Sequence, residues 1–505
     1  MTERNSTAAY GVLKTRFKRL AALQGAQAVL HWDRATMMPE GGARARAEQQ
    51  ATLSLIAHET LTAPEVSDLL ASADETVAAL GEWDRANLSE MRRVHAHATA
   101  TPADLVTRLS HQKSETEMIW RRARAANDYA SLAPALDRLV GLVREQAGAK
   151  ADAFGLDPYD ALLDGYDPGR RAAEIDRLFA ELEVSLPALL QAIMEKQAAA
   201  PKPHALSGPF PIAVQEKLGR EIMGVLGFDF AHGRLDVSHH PFTGGVPDDS
   251  RITTRYDEAD FTESLMAVIH ETGHSLYERG LPDEWRMQPV GRSRGMTIHE
   301  SQSLLFEMQA GRSASFISFL APRLKQAFGS DGAAWSPENL LRHYRKVGPS
   351  FIRVQADEVT YPLHVILRYR LERAMIAGEL RVADLPAAWN EGMKNLLGIT
   401  PPDDASGCMQ DIHWPSGSFG YFPTYTLGAL AAAQLFAAAK AARPGLEEAL
   451  GRGDFSPLIQ WVGEKVHGQG SRLTPDEILT SATASPLGTG AFLRHIEGRY
   501  LHSQA

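Results

Sequence analysis

The segment Ala267-Val268-Ile269-His270-Glu271-Thr272-Gly273-His274-Ser275-Leu276 carries residue types at a spacing that dictates chemistry. On an α-helix, residues four apart lie one turn above each other on the same face, so His270 and His274 can aim both imidazoles at one point. Such a pair grips a divalent cation. Glu271 lies on a neighbouring face, where its carboxylate can act as general base toward a polarised water without being a ligand. The competing reading is a helix with two surface histidines that bind nothing, and the setting speaks against it. Asp257-Glu258-Ala259-Asp260 supplies an N-cap and an acidic first turn, while Leu265, Ile269 and Leu276 form an apolar stripe beside the histidines.

A catalytic zinc takes three protein ligands and keeps one position open. Glu300, on the following helix, is the expected third ligand. Glu307, two turns further along the same face, and His299 are its rivals. Glu278 sits one turn beyond His274, where a helix cannot easily bend it back to the same ion. An ion held by His270, His274 and Glu300 lowers the pKa of a water to about 7 and polarises a carbonyl. Glu271 then takes the water proton and can return it to a leaving amine, so amide hydrolysis is the reaction best served. An oxyanion donor, Tyr or His, is still required. The ligand set suits one zinc ion per chain, and cobalt or manganese where availability allows.

Helical patterning must position these groups. Residues 8–30, 43–58, 63–73, 76–98, 103–127, 132–152 and 171–199 read as successive helices rich in Ala, Leu, Arg and Glu. Between the first two, His31 to Pro39 reads as a packed corner. A Pro- and Gly-containing linker near residues 201–209 precedes a helix at 211–226. Residues 234–238 and 250–256 alternate like strands and predict a small antiparallel sheet just before the metal helix. Its edge could hold an extended peptide. Gly280 suits a left-handed cap for that helix. Further helices follow at 299–326, 336–346, 350–378, 385–397, 424–441, 444–451, 455–467 and 475–483, with a frayed tail after Gly498.

At 505 residues, with 44% hydrophobic and 23% charged residues, the composition is that of an ordinary globular protein. A net charge of -10 without a Lys/Arg block argues against nucleic acid as a partner. The longest apolar run, Leu427 to Ala439, is too short to span a bilayer and reads as a buried helix, so no membrane partner is expected. Cys408 is the single cysteine, which excludes an intrachain disulfide and fits a reducing compartment. The first residues, Met1-Thr2-Glu3-Arg4-Asn5-Ser6, lack the apolar core of a signal peptide, so the expected location is the cytoplasm.

Beyond the metal helix, six motifs run through the chain in order: His240-Pro241-Phe242, Asp249-Ser250-Arg251-Ile252-Thr253, His270-Glu271-Thr272-Gly273-His274, His299-Glu300-Ser301, Ile352 to Asp357, and Gly407 to Trp414. With Trp32 to Pro39 and Tyr159 to Asp164, they make the chain similar to the thermostable carboxypeptidase (carboxypeptidase Taq) family of zinc metallocarboxypeptidases along nearly its whole length. The resemblance implies a mainly α fold of the neurolysin and angiotensin-converting-enzyme type, a large helical body with a deep substrate groove. It implies one catalytic unit over residues 1–505, with 1–200 forming a helical lid or groove wall and 201–505 the metal-binding part, and assembly as a homodimer. It implies removal of single residues from free peptide carboxyl termini, with broad side-chain tolerance and poor release of proline.

By the same resemblance His270, His274 and Glu300 are the ligands and Glu271 the base. Arg353, which on its own reads as a helix surface charge paired with Asp357, acquires the task of gripping the substrate carboxylate. His240, Gln410, Asp411 and His413 are placed in the groove. Tyr421 and Tyr425 are candidate oxyanion donors. Leu304 stands where related folds carry an Asp that orients a ligand histidine, leaving Asp249 or Asp411 as guesses for that task. Two other readings use the same helix: an oligopeptidase that cuts internal bonds, and a non-catalytic helical protein with a structural metal.

Overall fold

The computed structural model of the chain describes residues 2–329 and 332–502. Its amino-terminal part is a run of helices: α1 (Thr2–Thr36), α2 (Ala43–Thr62), α3 (Pro64–Asp74), α4 (Glu82–Thr99), α5 (Ala103–Ala126), α6 (Tyr129–Phe154), α7 (Pro158–Leu163), α8 (Ala172–Ala199) and α9 (Ile212–Val225). Three strands follow, β1 (Gly233–Val237), β2 (Phe242–Val246) and β3 (Asp249–Thr254). The remainder is again helical: α10 (Phe261–Arg279), α11 (Gly295–Leu304), α12 (Ala314–Phe328), α13 (Pro337–Tyr344), α14 (Tyr361–Ala377), α15 (Leu385–Leu397), α16 (Pro423–Ala442), α17 (Leu446–Leu450), α18 (Ser456–Lys465), α19 (Pro475–Thr483) and α20 (Gly490–Ile496). The mainly α expectation holds.

The small sheet is mixed rather than purely antiparallel, with strand order β1-β3-β2. The two strands read from the sequence do pair, but in parallel, with Leu235 beside Ile252. The segment taken for their connector is the antiparallel partner, with Thr243 opposite Ile252. The cause is the tight turn at Pro247-Asp248: Gly245 adopts φ 89°, and a Cβ there would lie 2.0 Å from the Asp249 carbonyl oxygen. Once β2 turns back into β3, β3 runs in the direction of β1 and can accept it only in parallel. Met223, Phe228, Leu235, Ile252 and Val268 form a small apolar core joining the sheet to α9 and α10.

The Asp260 carboxylate caps α10 by accepting from the Thr262 N–H at 2.7 Å, as its sequence position requires. Gly280 does not take the left-handed conformation expected of it; its φ is -77°. Glycine is needed there for space, since a Cβ would meet His467 Nδ1 at 2.5 Å. The single helix expected over 299–326 is broken. A wide π-type turn spans Leu305–Gly311, and Ser313 restarts the chain as the cap of α12, its side chain accepting from the Phe316 N–H. The helix expected over 350–378 begins only at Tyr361, because Asp357 accepts the N–H groups of Val359 and Thr360 at 2.9 and 3.0 Å and Pro362 occupies the first turn.

Apolar packing divides unequally. Residues from Leu105 to Tyr500 contribute to one large core, whereas Tyr10, Leu13, Phe17, Leu20, Val66, Leu70, Leu88 and Met91 of α1, α3 and α4 form a separate cluster. Polar bridges join the two: Asn87 Nδ2 donates to Gln288 Oε1 at 3.1 Å, and Arg294 pairs with Glu90 at 2.6 Å. The corner expected from His31 begins only after Thr36, where α1 ends; Trp32 lies inside that helix, buried under the guanidinium groups of Arg234 and Arg251 at the sheet, 4.9 and 4.1 Å from its ring centroid. The Ala-rich run is α16, a buried helix, and among the described residues no helix is long and apolar enough to cross a membrane. The tail is less free than expected: Tyr500 is buried and donates to Glu358 at 2.7 Å, while 503–505 lie outside the described residues.

Two glycines set the spacing around α11. A Cβ on Gly273 of α10 would lie 2.7 Å from the Gln302 carbonyl oxygen and 2.8 Å from Ser303 Cα. A Cβ on Gly428 of α16 would lie 2.8 Å from both Cβ and Cγ of Glu300. The backbone of α10 therefore packs on that of α11, and the backbone of α16 packs on the Glu300 stem, so α11 is held tightly between the other two helices. Gly273→Ala is expected to cost about 1–3 kcal/mol by overpacking, read as a lower urea midpoint at unchanged slope; an unaltered midpoint would show that α10 and α11 separate freely.

Candidate active site

The close approach of α10 and α11 brings His270, His274 and Glu300 together, one ligand-capable atom from each lying within 4.8 Å of the others. Glu300 Oε2 is 3.5 Å from His274 Nε2 and 4.0 Å from His270 Nε2. Bond lengths of about 2.0–2.2 Å in a tetrahedral site imply ligand separations of about 3.3–3.6 Å, so the grouping is close to that of a bound cation.

The outward-facing ring nitrogens are already engaged, which aims the Nε2 atoms inward. His270 Nδ1 is 2.9 Å from Glu307 Oε2, and His274 Nδ1 is 3.1 Å from the carbonyl oxygen of His299. Glu307 Oε1 in turn accepts from Arg312 at 2.5 Å. Glu307 thus lies outside the convergent group and bonds His270 from behind, the place guessed for Asp249 or Asp411. Those two point elsewhere: Asp249 pairs with Arg251 at 2.7 Å and Asp411 with Arg353 at 2.9 Å. His299, the other rival, packs its ring 4.4 Å from that of His274 but directs Nε2 to Glu278 at 3.0 Å.

Electrostatics favour a cation at this point. Burial lowers the pKa of His270, but hydrogen bonding to Glu307 and the charges of Glu300 and Glu271 outweigh it and push the value up to about 10. Burial likewise opposes ionisation of Glu300, yet its bond to His274 and the charge on His270 bring it down to about 2. His274 is lowered, chiefly by burial and then by His299. Arg312 offsets Glu307, but Glu300 and Glu271 still face the two imidazoles, a negative charge that a divalent ion would offset.

Glu271 is buried beside the sheet, with Thr243 Oγ1 2.6 Å from its Oε2 and 2.9 Å from its backbone oxygen. Thr243 comes from the edge strand β2 and was not singled out in the sequence, where it falls between the two expected strands. His240, on the approach to β2, is exposed with its ring 4.5 Å from that of His239.

A second cluster gathers around Arg353, which is buried in a short turn at Arg353–Gln355 rather than exposed on a helix. Its partner is Asp411 instead of Asp357: Nε and one terminal nitrogen donate to Asp411 Oδ1 at 3.0 and 2.9 Å, and the other terminal nitrogen donates to the Tyr361 hydroxyl at 3.0 Å. Arg368 Nε donates to the other Asp411 oxygen at 2.6 Å. Of the five N–H donors of a guanidinium, these bonds use three and leave two. Gln410 faces backbone: its Oε1 accepts from the Arg353 N–H at 2.8 Å, while Nε2 donates to the carbonyls of Phe351 and Ser406 at 3.0 and 2.8 Å. It positions the Arg353 turn and offers little to a ligand.

Tyr361, Tyr421 and Tyr425 stand between the clusters. Tyr425 lies under Arg353, its ring centroid 4.9 Å from the guanidinium carbon, and its hydroxyl is 3.2 Å from His413 Nε2. Burial first, and then nearby Glu300 and Asp411 against the opposing Arg353 charge, push the Tyr425 phenol up to about 12. Tyr421 packs edge-on to Tyr425 at 5.2 Å and is raised further by burial. His413 is lowered to about 3 by burial, which keeps its imidazole neutral. Tyr361 and Arg368 escaped sequence reasoning because an aromatic at a helix start and a charge within a helix have many ordinary explanations.

The profile of the family described as Carboxypeptidase Taq (M32) metallopeptidase matches residues 12–500. Thermostable carboxypeptidase 1 of Thermus thermophilus is 39% identical over 506 residues, covering 98% of each chain. Among solved structures, metallocarboxypeptidase 1 of Trypanosoma cruzi superposes with a TM-score of 0.96 at 41% identity, covering 98% of this chain and 99% of its own. The M32 carboxypeptidase of Deinococcus radiodurans R1 gives a TM-score of 0.92 at 36% identity with the same coverage. Matched in sequence and fold from end to end, the chain belongs to the carboxypeptidase Taq (M32) metallopeptidase family.

Proposed function

We propose that the protein is a carboxypeptidase that removes single residues from the free carboxyl end of peptides, with broad side-chain tolerance and poor release of proline. The observation that carries this reading is the pairing of a convergent His270-His274-Glu300 group with a buried Arg353 that retains two N–H donors, tyrosines lying between them. His270, His274 and Glu300 would hold one divalent cation, zinc by the donor set, with cobalt or manganese as substitutes. When bound, such an ion supplies a Lewis acid that polarises the scissile carbonyl and acidifies a water.

The chain's own groups do the rest. Glu271, steadied at Oε2 by Thr243, accepts the proton of the attacking water at Oε1 and passes it to the leaving amine nitrogen. The Tyr425 phenol, kept protonated near neutral pH, donates a hydrogen bond to the oxygen that gains charge in the tetrahedral state. Arg353, locked by Asp411 and Tyr361, offers its free edge to the terminal carboxylate, which places the last peptide bond over Glu271. The edge strand β2 supplies unpaired backbone groups to an extended peptide. His240 and His413 complete the lining of the substrate site.

The same reading takes residues 1–505 as one catalytic unit in which 1–200 wall and roof the groove and 201–505 carry the catalytic groups; the separate apolar cluster supports a distinct roof only for α1, α3 and α4, since α5 to α8 share the large core. Assembly as a homodimer and a cytoplasmic location belong to the same reading, the latter supported by the single buried Cys408.

A peptide and its carboxyl-terminal amide separate this reading from internal cleavage. The amide is expected to lose at least roughly 30-fold in kcat/KM, equivalent to about 2 kcal/mol of lost charge pairing, and Arg353→Ala should abolish the preference; undiminished cleavage of the amide would favour an oligopeptidase. Glu271→Gln is expected to lower kcat by about 10²–10⁴ with metal stoichiometry intact. Full activity in that variant would refute the base assignment.

A further inference from the structure

The wide turn Leu305–Gly311 carries Glu307, the partner of His270, and a turn of this kind leaves carbonyls near its end without helical donors. Two of them are met from the far end of the chain. Arg499, in the last turn Glu497–His502, donates one terminal nitrogen to the Met308 carbonyl and the other to the Gln309 carbonyl at 2.9 Å. The Arg499 side chain is only 6% exposed, so these bonds form away from competing water.

The guanidinium is itself anchored. Glu358, just ahead of α14, accepts from Arg499 at 2.9 Å and from the Tyr500 hydroxyl at 2.7 Å, and its other oxygen is 3.1 Å from His495 Nε2. Its carboxylate is 1% exposed. Burying so many polar groups costs free energy unless each finds a partner, and here the partners come from three separate stretches of chain. The carboxy-terminal turn is thereby tied to the element that carries Glu307 and to the start of the helix that carries Tyr361.

We propose that Arg499 is a positioning residue of the metal centre: by holding the Met308 and Gln309 carbonyls it fixes the turn that presents Glu307 to His270, and so sets the affinity for the cation. The inference rests on reading His270, His274 and Glu300 as the cation's ligands. It gives the carboxy-terminal turn a task that neither its distance in sequence nor its lack of contact with the ligands suggests.

The test is zinc affinity of the full chain, measured by competition with a chromophoric chelator. The variants are Arg499→Ala, Arg499→Lys, Glu307→Gln and the double variant Arg499→Ala/Glu307→Gln, with unfolding of each metal-free protein followed alongside. Arg499→Ala is expected to weaken zinc binding by about 10- to 100-fold, the scale of losing a ligand's orienting partner. Arg499→Lys, which keeps a charge beside Glu358 but cannot span both carbonyls, should show an intermediate loss and supplies the answer if the alanine variant does not fold. In the Glu307→Gln background the alanine change should add less than about 3-fold, because both act on one ring. Wild-type zinc affinity in Arg499→Lys, or losses that multiply in the double variant, would overturn the proposal. Absence of stoichiometric zinc binding by the wild type would instead remove the ligand assignment on which it stands.

Discussion

The contact on which the rest depends is the near-touching of α11 by two helices at once. Gly273 lets the backbone of α10 meet that of α11, and Gly428 lets α16 press on the Glu300 stem. Without room for even a methyl group on either side, Glu300 has little freedom of position, and His270 and His274 lie directly opposite. A helix pair held by interdigitated side chains would stand farther apart. The three ligand-capable groups converge because two residues contribute no side chain.

Around that core the protein separates two electrostatic tasks. On one side Glu300, Glu307 and Glu271 gather negative charge about the imidazoles. On the other, Arg353 and Arg368 share Asp411, whose carboxylate is held far below the usual range, with burial opposing and the two guanidinium groups prevailing. Tyr361 and Tyr425 feel the charges of both Glu300 and Arg353. A group rich in carboxylates and a pair of buried guanidinium groups therefore face each other across neutral phenols, the polarity that the proposed orientation of a peptide end would use.

Much of this was legible in the sequence where the signal is local. The helical period puts His270 above His274, and the cap at Asp260 marks where that helix begins. Glu300, expected as a third ligand, does converge with them, whereas Glu307, read as its rival, bonds His270 from a wide turn that leaves no pattern in the sequence. What could not be read is non-local. Asp357 four residues after Arg353 suggested a helix pair, but Asp357 spends its carboxylate on the turn that precedes α14 and Arg353 turns to a distant Asp411. The parallel pairing of β1 and β3 follows from a hairpin whose first strand is too rich in glycine to look like one. Gly280 and Gly428 are small because of neighbours far along the chain, and no local rule distinguishes them from turn glycines.

Anomalous diffraction at the zinc edge from crystals of the zinc-loaded protein addresses the central claim most directly. The expected result is one strong peak per chain within bonding distance of His270 Nε2, His274 Nε2 and a Glu300 oxygen, with Glu271 and Glu307 outside that distance. A peak coordinated by other residues, or none at these three, would contradict the account.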